Sequence, residues 1–237
     1  MSFYQSLASY YDRIFLLNNM ALTFVEKHFQ QGESLLDIGA GTGNMALALA
    51  EKGFIVKASE PDEEMVDIIR TKVEAKAFPI SIYSETMQQI EAIGGFFDGI
   101  LCVGNTLPHL KNLLEIQEFL GGCFNKLHAG GRLILQLVNY DHVLANDNFT
   151  FPVIEKEDFT FTRHYTKQED NILFTSKLKV EDVENENTIA LYPVVSKQLQ
   201  TILGNVGFKD VAIYGSFKGE PYSSDSKAMI LVARKNH

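Results

Sequence analysis

Cysteine is scarce: the 237 residues hold only Cys102 and Cys123, too few to staple a disulfide scaffold. Positive charge is short as well. Lys and Arg number 21 against 30 Asp and Glu, for a formal net charge of −9, so the broad basic footprint that nucleic acid or an anionic lipid surface demands is missing. No uncharged run reaches the roughly 18 residues that a membrane-spanning helix needs, and no basic segment followed by a long apolar stretch opens the chain. The expectation is a cytoplasmic protein with neither nucleic acid nor membrane as partner. Its hydrophobic content, 46%, is ordinary for a chain with a proper core.

The apolar pattern alternates between short runs and helical spacing. Phe3–His28 reads as a helix, with Leu7, Tyr10, Tyr11, Ile14 and Phe15 near one face. Ser34–Ile38, Phe54–Ser59, Ile80–Tyr83, Phe97–Val103 and Arg132–Val138 read as strands. Between them lie helices over Asn44–Lys52, Asp62–Ala75 (capped by Asp62) and Leu110–Leu127, the last with Leu110, Leu113, Leu114, Leu120, Phe124 and Leu127 aligned. Such alternation implies a parallel sheet covered on both faces. The rhythm then breaks. Phe159–Tyr165, Ile172–Val180 and Thr188–Tyr192 are β-like runs separated by polar turns at Gln168–Asn171 and Glu181–Asn187, a three-stranded antiparallel insertion. Helix Ser196–Val206, closed by Gly207, and strands Phe208–Tyr214 and Ala228–Ala233 complete the chain. The predicted fold is α/β: a Rossmann-like, seven-stranded, mostly parallel sheet with helices on both faces. It forms one domain over 1–237, with 149–193 an inserted cap after strand five.

Between the first strand and the first helix stands Leu35-Leu36-Asp37-Ile38-Gly39-Ala40-Gly41-Thr42-Gly43-Asn44. Glycines there permit positive φ and close approach of a ligand to the backbone, and the helix start offers free N–H groups. Glu60 ends the second strand about twenty residues on, where a carboxylate accepts the hydroxyls of a ribose. A dinucleotide site wants G-x-G-x-x-G, but the sixth position here is Asn44. Asp37 beside the loop suits a ligand ammonium better than a pyrophosphate on Coulomb grounds, which favours S-adenosylmethionine over a nicotinamide cofactor.

LLDIGAGTG followed by Glu60 resembles motifs I and II of class I S-adenosylmethionine-dependent methyltransferases. The resemblance implies a sheet of seven strands with the last antiparallel, and a glycine loop against the methionine moiety. Glu60 would bind the ribose, and Pro61, Asp62 and Met65 would border the adenine. The stretch Ser84-Glu85-Thr86-Met87 would lie on the adenine's other side, where it departs from the family's common Gly-Asp pair.

A second block, Cys102-Val103-Gly104-Asn105-Thr106-Leu107-Pro108-His109-Leu110, follows the fourth strand, at the end of the sheet where chemistry in this fold sits. It lacks the Asn/Asp-Pro-Pro-aromatic motif of base amino-methyltransferases and the Pro-Cys nucleophile of cytosine-5 enzymes. It resembles the C-x-G-N-[ST]-x-x-H-L pattern of glycine N-methyltransferase-like small-molecule enzymes, which points to an amine acceptor. His109 is the candidate titratable group, since its ordinary pKa lies near neutrality; the alternative is that it packs the following helix. Asn105 is either a positioning amide or a plain turn residue.

Two segments are placed to close the pocket. Tyr10-Tyr11-Asp12 resembles a run that many of these methyltransferases carry ahead of motif I, where a tyrosine reaches over the cofactor. In the insertion, Phe159, Phe161, Arg163 and Tyr165 share a strand face. Arg163 either pairs with an acceptor carboxylate through its planar fork or lays its stem on the rings with its head in water. The expected cofactor-binding set is therefore Tyr11, Asp37, Gly39, Ala40, Gly41, Gly43, Asn44, Glu60, Pro61, Met65, Thr86, Met87, Cys102 and Val103. Asn105 and His109 are the catalytic candidates, and Arg163, Tyr165 and Tyr192 the acceptor candidates; no metal ligand is assigned. The predicted function is methyl transfer from S-adenosylmethionine to a small molecule, an amine first. The alternatives are an O-methyltransferase or a regulatory protein that binds the cofactor without turnover.

Overall fold

The computed structural model describes residues 5–146 and 149–236. The chain opens on a 3-10 turn over Gln5–Tyr10, a single turn α1 (Tyr11–Ile14) and, after a break, α2 (Asn19–Glu26). The expected continuous helix Phe3–His28 is thus broken, and its Phe3 and Tyr4 lie outside the described residues. Phe15 leaves helical geometry at φ −112°, ψ 74°, and Asn18 is extended, its side chain accepting from the N–H groups of Met20 and Ala21 at 3.0 and 3.2 Å. An Asn that satisfies the first amides of the next helix starts a new helix and ends any earlier one.

The alternating unit follows: β1 (Ser34–Ile38), α3 (Asn44–Glu51), β2 (Ile55–Ser59), α4 (Glu63–Lys76), β3 (Ser81–Tyr83), β4 (Phe97–Cys102), α5 (Leu113–Lys126) and β5 (Leu127–Val138). Past it lie α6 (Tyr140–Ala145), β6 (Phe149–Thr150), β7 (Ile154–Glu155), β8 (Thr160–Gln168), β9 (Asn171–Val180), β10 (Val183–Leu191), α7 (Ser196–Val206), β11 (Val211–Tyr214) and β12 (Ala228–Arg234). The main sheet has seven strands in the order β11-β12-β5-β4-β1-β2-β3. The last strand, β12, is antiparallel to both its neighbours, and the other pairings are parallel. The Rossmann-like sheet expected from the sequence is present.

Successive strand residues face opposite sides, and both sides of this sheet are buried. Leu36, Ile100 and Leu135 pack with Ile116, Phe119 and Leu120 of α5 and Leu199 and Leu203 of α7. Their strand neighbours Leu35, Leu101 and Ile134 pack instead with Phe24 and Val25 of α2 and Leu47 and Leu49 of α3. Each such side chain contributes roughly 1.5–3 kcal/mol over its exposed state. Leu114 is exposed at 63%, off the face that buries Ile116, Phe119, Leu120 and Cys123, and α5 begins only after its cap Asn112, which accepts from Glu115 N–H at 2.9 Å. The preceding Leu107–His109 forms a separate 3-10 turn.

The insertion is a meander of β8, β9 and β10, and the short strands β6 and β7 pair with the free edge of β8. The turn expected over Glu181–Asn187 is shorter: β10 begins at Val183, and Glu181 takes φ +53°. The acidic run belongs to the strand because Lys177 on β9 pairs with Glu184 and Glu186 at 3.4 and 2.6 Å, a cross-strand opposite-charge arrangement. A third apolar cluster joins Leu7 and Ile14 of the N-terminal segment to Phe159, Phe161 and Leu178 of the insertion. Residues 5–15 therefore form a strap between the inserted sheet and the carboxyl ends of the main strands.

Candidate active site

The sheet order reverses between β1 and β4, and the crevice beyond their carboxyl ends is where such folds take ligands. Gly39, Gly41 and Gly43 there have φ of +68°, +56° and +79°, a region that side chains on Cβ disfavour. A Cβ on Gly41 would stand 3.0 Å from the Tyr11 hydroxyl, and one on Gly39 would overlap the Thr106 side chain. Glycine lets the strap and the post-β4 turn close down on the loop. A 270 Å³ cavity runs from Gly39 and Gly41 past Glu60, Pro61 and Met65 to Thr86 and Met87. A second compartment of 390 Å³ is lined by Asp37, Ala40, Asn44, Val103 and Tyr11 among others.

Two carboxylates of this crevice, Glu60 and Asp37, are buried, and they are satisfied differently. Glu60 accepts from the N–H groups of Gly41 and Asp62 at 2.8 and 3.1 Å, although burial still raises its pKa. Asp37 is 2% exposed, and its Oδ2 is buried with no hydrogen-bond partner. Burial and the neighbouring Glu60 push its pKa up to about 7. A buried carboxylate short of a counter-charge fits a ligand that brings a cation.

The strap is tied down on both sides of Tyr11. Asp12 accepts from Thr42 (2.5 Å), Asn44 (2.9 Å) and Lys72 (2.6 Å). Burial opposes its ionisation, and these partners overcome that to hold its pKa below the usual carboxylate range. Arg13 makes a two-pronged pair with Asp158 of the insertion, both contacts at 2.6 Å. Tyr11 itself is buried enough that its phenol stays neutral, with Glu60, Asp12 and Asp37 adding to the effect.

Beneath the insertion lies a third compartment, of 200 Å³, walled by Phe15, Phe151, Phe161, Tyr165 and Phe174 together with Asn105, His109 and Arg163. Tyr11 and Gly104 line all three compartments. His109 lines the first and the third; it is exposed to this space, yet the surrounding protein pushes its pKa down to about 4. Arg163 sits on the rings of Phe151, Phe161 and Phe15 at 4.8, 5.5 and 5.7 Å. Its head is not in open water: Nε is buried without a hydrogen-bond partner, and burial lowers its pKa.

With this geometry in hand, comparison with known proteins is informative. Residues 35–131 match the family model of a methyltransferase domain. A Geobacillus protein named as a putative methyltransferase is 28% identical over 159 residues, 62% of this chain and 63% of the relative, so the match spans just under two thirds of that protein. A glycine/sarcosine N-methyltransferase from Aphanothece halophytica is 26% identical over 207 residues, 85% of this chain and 76% of the relative. The crystal structure of an S-adenosylmethionine-dependent methyltransferase from Clostridium acetobutylicum superimposes with a TM-score of 0.83 at 15% identity, covering 100% of both chains. Residues 35–131 therefore match a methyltransferase domain, and the chain as a whole shares the fold of that S-adenosylmethionine-dependent methyltransferase.

The residues picked out by sequence do not all reach the cavities. Tyr11, Asp37, Gly39, Ala40, Gly41, Asn44, Glu60, Pro61, Met65, Thr86, Met87 and Val103 line the first two compartments. Gly43 caps α3 beneath them. Cys102 is fully buried at the end of β4, paired with Leu135 of β5, where burial raises its thiol pKa. Asn105 lines the third compartment with its amide committed: it accepts from Val138 N–H at 2.9 Å and donates to the hydroxyls of Tyr140 and Tyr165 at 3.2 Å each. That makes it a brace between the main sheet and the insertion. Arg163 and Tyr165 line the third compartment. Tyr192 does not; its N–H donates to Pro108 C=O at 2.8 Å. Sequence reasoning missed Gly104, Phe15 and Phe151. Gly104-Asn105 carried a signal, since both residues take positive φ, +81° and +66°, as Gly and Asn do at turns. The two phenylalanines carried none, because their places depend on how the strap and the insertion meet.

Proposed function

We propose that this protein is a methyltransferase that transfers a methyl group to a small-molecule acceptor whose reacting group is an amine, with residues 149–193 acting as the cap of a single domain over 1–237. The observation that carries the reading is that three compartments meet at Tyr11 and Gly104. Two have the lining expected for the cofactor, and the third is an aromatic chamber under the cap.

When bound, S-adenosylmethionine supplies a methyl group already activated on a sulfonium. Asp37 would supply the counter-charge for the ligand's ammonium, and the Glu60 carboxylate would accept from a ribose hydroxyl. Met65, Thr86 and Met87 would hold the adenine. Tyr11 and Gly104 wall the junction, where excluding water and aligning the two reactants provide the rate. His109, whose pKa is pushed down to about 4, would accept a hydrogen bond from the amine N–H and so orient the acceptor. A base with so low a pKa removes protons poorly at neutral pH, so its role here is orientation.

The test has two stages. Thermal-shift measurements with S-adenosylmethionine, S-adenosylhomocysteine and NAD are expected to show stabilisation by the first two only. A panel of amines, amino acids and phenols, read by release of S-adenosylhomocysteine, is expected to give turnover with amines. Turnover with phenols alone would make the enzyme an O-methyltransferase. Binding with no turnover on any acceptor would favour a regulatory protein.

A further inference from the structure

We infer that Ser59 is a positioning residue for the nucleoside half of the cofactor. Its main chain holds the glycine loop, its hydroxyl holds the wall expected to face the adenine, and the residue so sets the slot between them. The inference rests on reading the first compartment as the cofactor site. Ser59 is the last residue of β2 and is buried. Its C=O accepts from the N–H groups of Gly39 and Ala40 at 2.8 and 3.1 Å, and its Oγ donates to the C=O of Glu85 at 2.7 Å. One buried residue thus reaches two edges of the cavity that Gly39, Glu60, Glu85, Thr86 and Met87 line together.

The hydroxyl continues what the sheet leaves off. β3 ends at Tyr83, in register with Ser59, and Glu60 N–H donates to Tyr83 C=O at 3.0 Å. Beyond Tyr83 the chain leaves the strand, and a carbonyl there needs a partner from elsewhere. A buried hydroxyl in turn carries a desolvation cost unless it is hydrogen-bonded. The Ser59–Glu85 bond meets both needs and adds one side-chain rung past the end of the ladder. From Thr86 on the wall folds onto itself: the N–H and Oγ1 of Thr86 both donate to Gln89 Oε1, at 3.0 and 3.2 Å. The tie between this turn and the glycine loop runs through Ser59, so its hydroxyl fixes where Thr86 and Met87 stand before any ligand arrives. A wall held in place in advance costs a ligand less to bind.

Ser59→Ala removes the hydroxyl and leaves the main-chain carbonyl, cutting one tie and keeping the other. Calorimetry on the full-length protein compares S-adenosylhomocysteine with methylthioadenosine, which keeps the nucleoside and lacks the amino acid. Both are expected to bind Ser59→Ala about three- to tenfold more weakly, by the same factor, the scale of one neutral hydrogen bond. Amide hydrogen exchange in the ligand-free variant is expected to quicken at Thr86 and Gln89 and to stay unchanged at Gly39 and Ala40. Ser59→Thr keeps the hydroxyl and is expected to bind within about twofold of wild type. If its extra methyl prevents folding, Ser59→Cys, with a weak donor in place of the hydroxyl, should fall between Ala and wild type. Unchanged affinity in Ser59→Ala overturns the inference, as does a loss confined to S-adenosylhomocysteine, which would place the effect on the amino-acid half. Exchange that quickens equally at Gly39 and Ala40 also overturns it, being the mark of general loosening. So does a wild type that fails to bind methylthioadenosine. Failure of wild type to bind S-adenosylhomocysteine would instead sink the cofactor reading itself, so the two failures are distinct.

Discussion

The loop wall and the cap wall of the site each bury one charge with an unpaired polar atom, Asp37 Oδ2 on one side and Arg163 Nε on the other, and they do so by opposite means. Asp37 sits on β1 in a run of consecutive residues, and the glycines that shape its surroundings lie within six positions of it. Arg163 sits on β8 among rings from three separate segments: Phe15 in the strap, Phe151 before β7 and Phe161 on its own strand. Burial raises the pKa of the first and lowers that of the second, in each case against the charged form. The loop wall therefore gains when a ligand brings the missing opposite charge.

The largest effect should come from neutralising the loop wall. Asp37→Asn is expected to weaken S-adenosylmethionine binding by roughly 30-fold to 1000-fold in calorimetry, the usual consequence of removing one partner of a buried charge pair. Unchanged affinity would show that the ammonium lies elsewhere. The same variant bears on pH. With Asp37 raised to about 7 in the folded ligand-free protein, from an ordinary value near 4, the folded state keeps a proton that the unfolded chain has lost. Its stabilising contribution is complete at about pH 4 and below and is lost as pH rises through about 7. Wild-type melting temperature should therefore fall over that window, and the slope should flatten in Asp37→Asn.

Next in size is the brace between the walls. Asn105→Ala leaves Val138 N–H and two tyrosine hydroxyls without their partner, and it is expected to cost about 2–3 kcal/mol in urea unfolding. A loss within experimental error would mean that the cap does not depend on this amide. His109→Gln should lower kcat by less than about tenfold and leave the pH–rate profile unshifted between pH 6 and 8. A loss of about a hundredfold or more would return His109 to the role of general base. The smallest effect concerns the exposed tie between strap and cap. Asp158→Ala should change stability slightly, and the difference should vanish at high salt. A large, salt-independent loss would show that Arg13 and Asp158 clamp the strap more firmly than two exposed side chains normally do.

How much of this was legible in the sequence follows the same division. Apolar periodicity read off the strands and most helices of the main sheet, since burial on both faces makes the central strands β1, β4 and β5 largely apolar where they cross the core. The failures occur where a local side chain overrides the pattern. Asn18 restarts a helix that periodicity alone would continue, and cross-strand pairing with Lys177 draws Glu184 and Glu186 into a strand that their charge alone would assign to a turn. Arg163 was visible as a cation among aromatics, but not its buried, unpaired Nε. That feature exists only because the strap folds under the cap.

By itself the sequence determined the loop wall: the order Asp37-Ile38-Gly39-Ala40-Gly41-Thr42-Gly43, with Glu60 following the next helix, specifies a turn whose backbone can take the required φ angles. The reason is locality, since conformation there depends on which residues lack a Cβ. The tertiary structure alone decided the cap wall. It brought Phe15, Phe151 and Arg163 together across well over a hundred positions of chain, withdrew Cys102 and Tyr192 from the cavities, and turned Asn105 from a catalytic candidate into a brace. These outcomes depend on packing between distant segments, which no local spacing encodes.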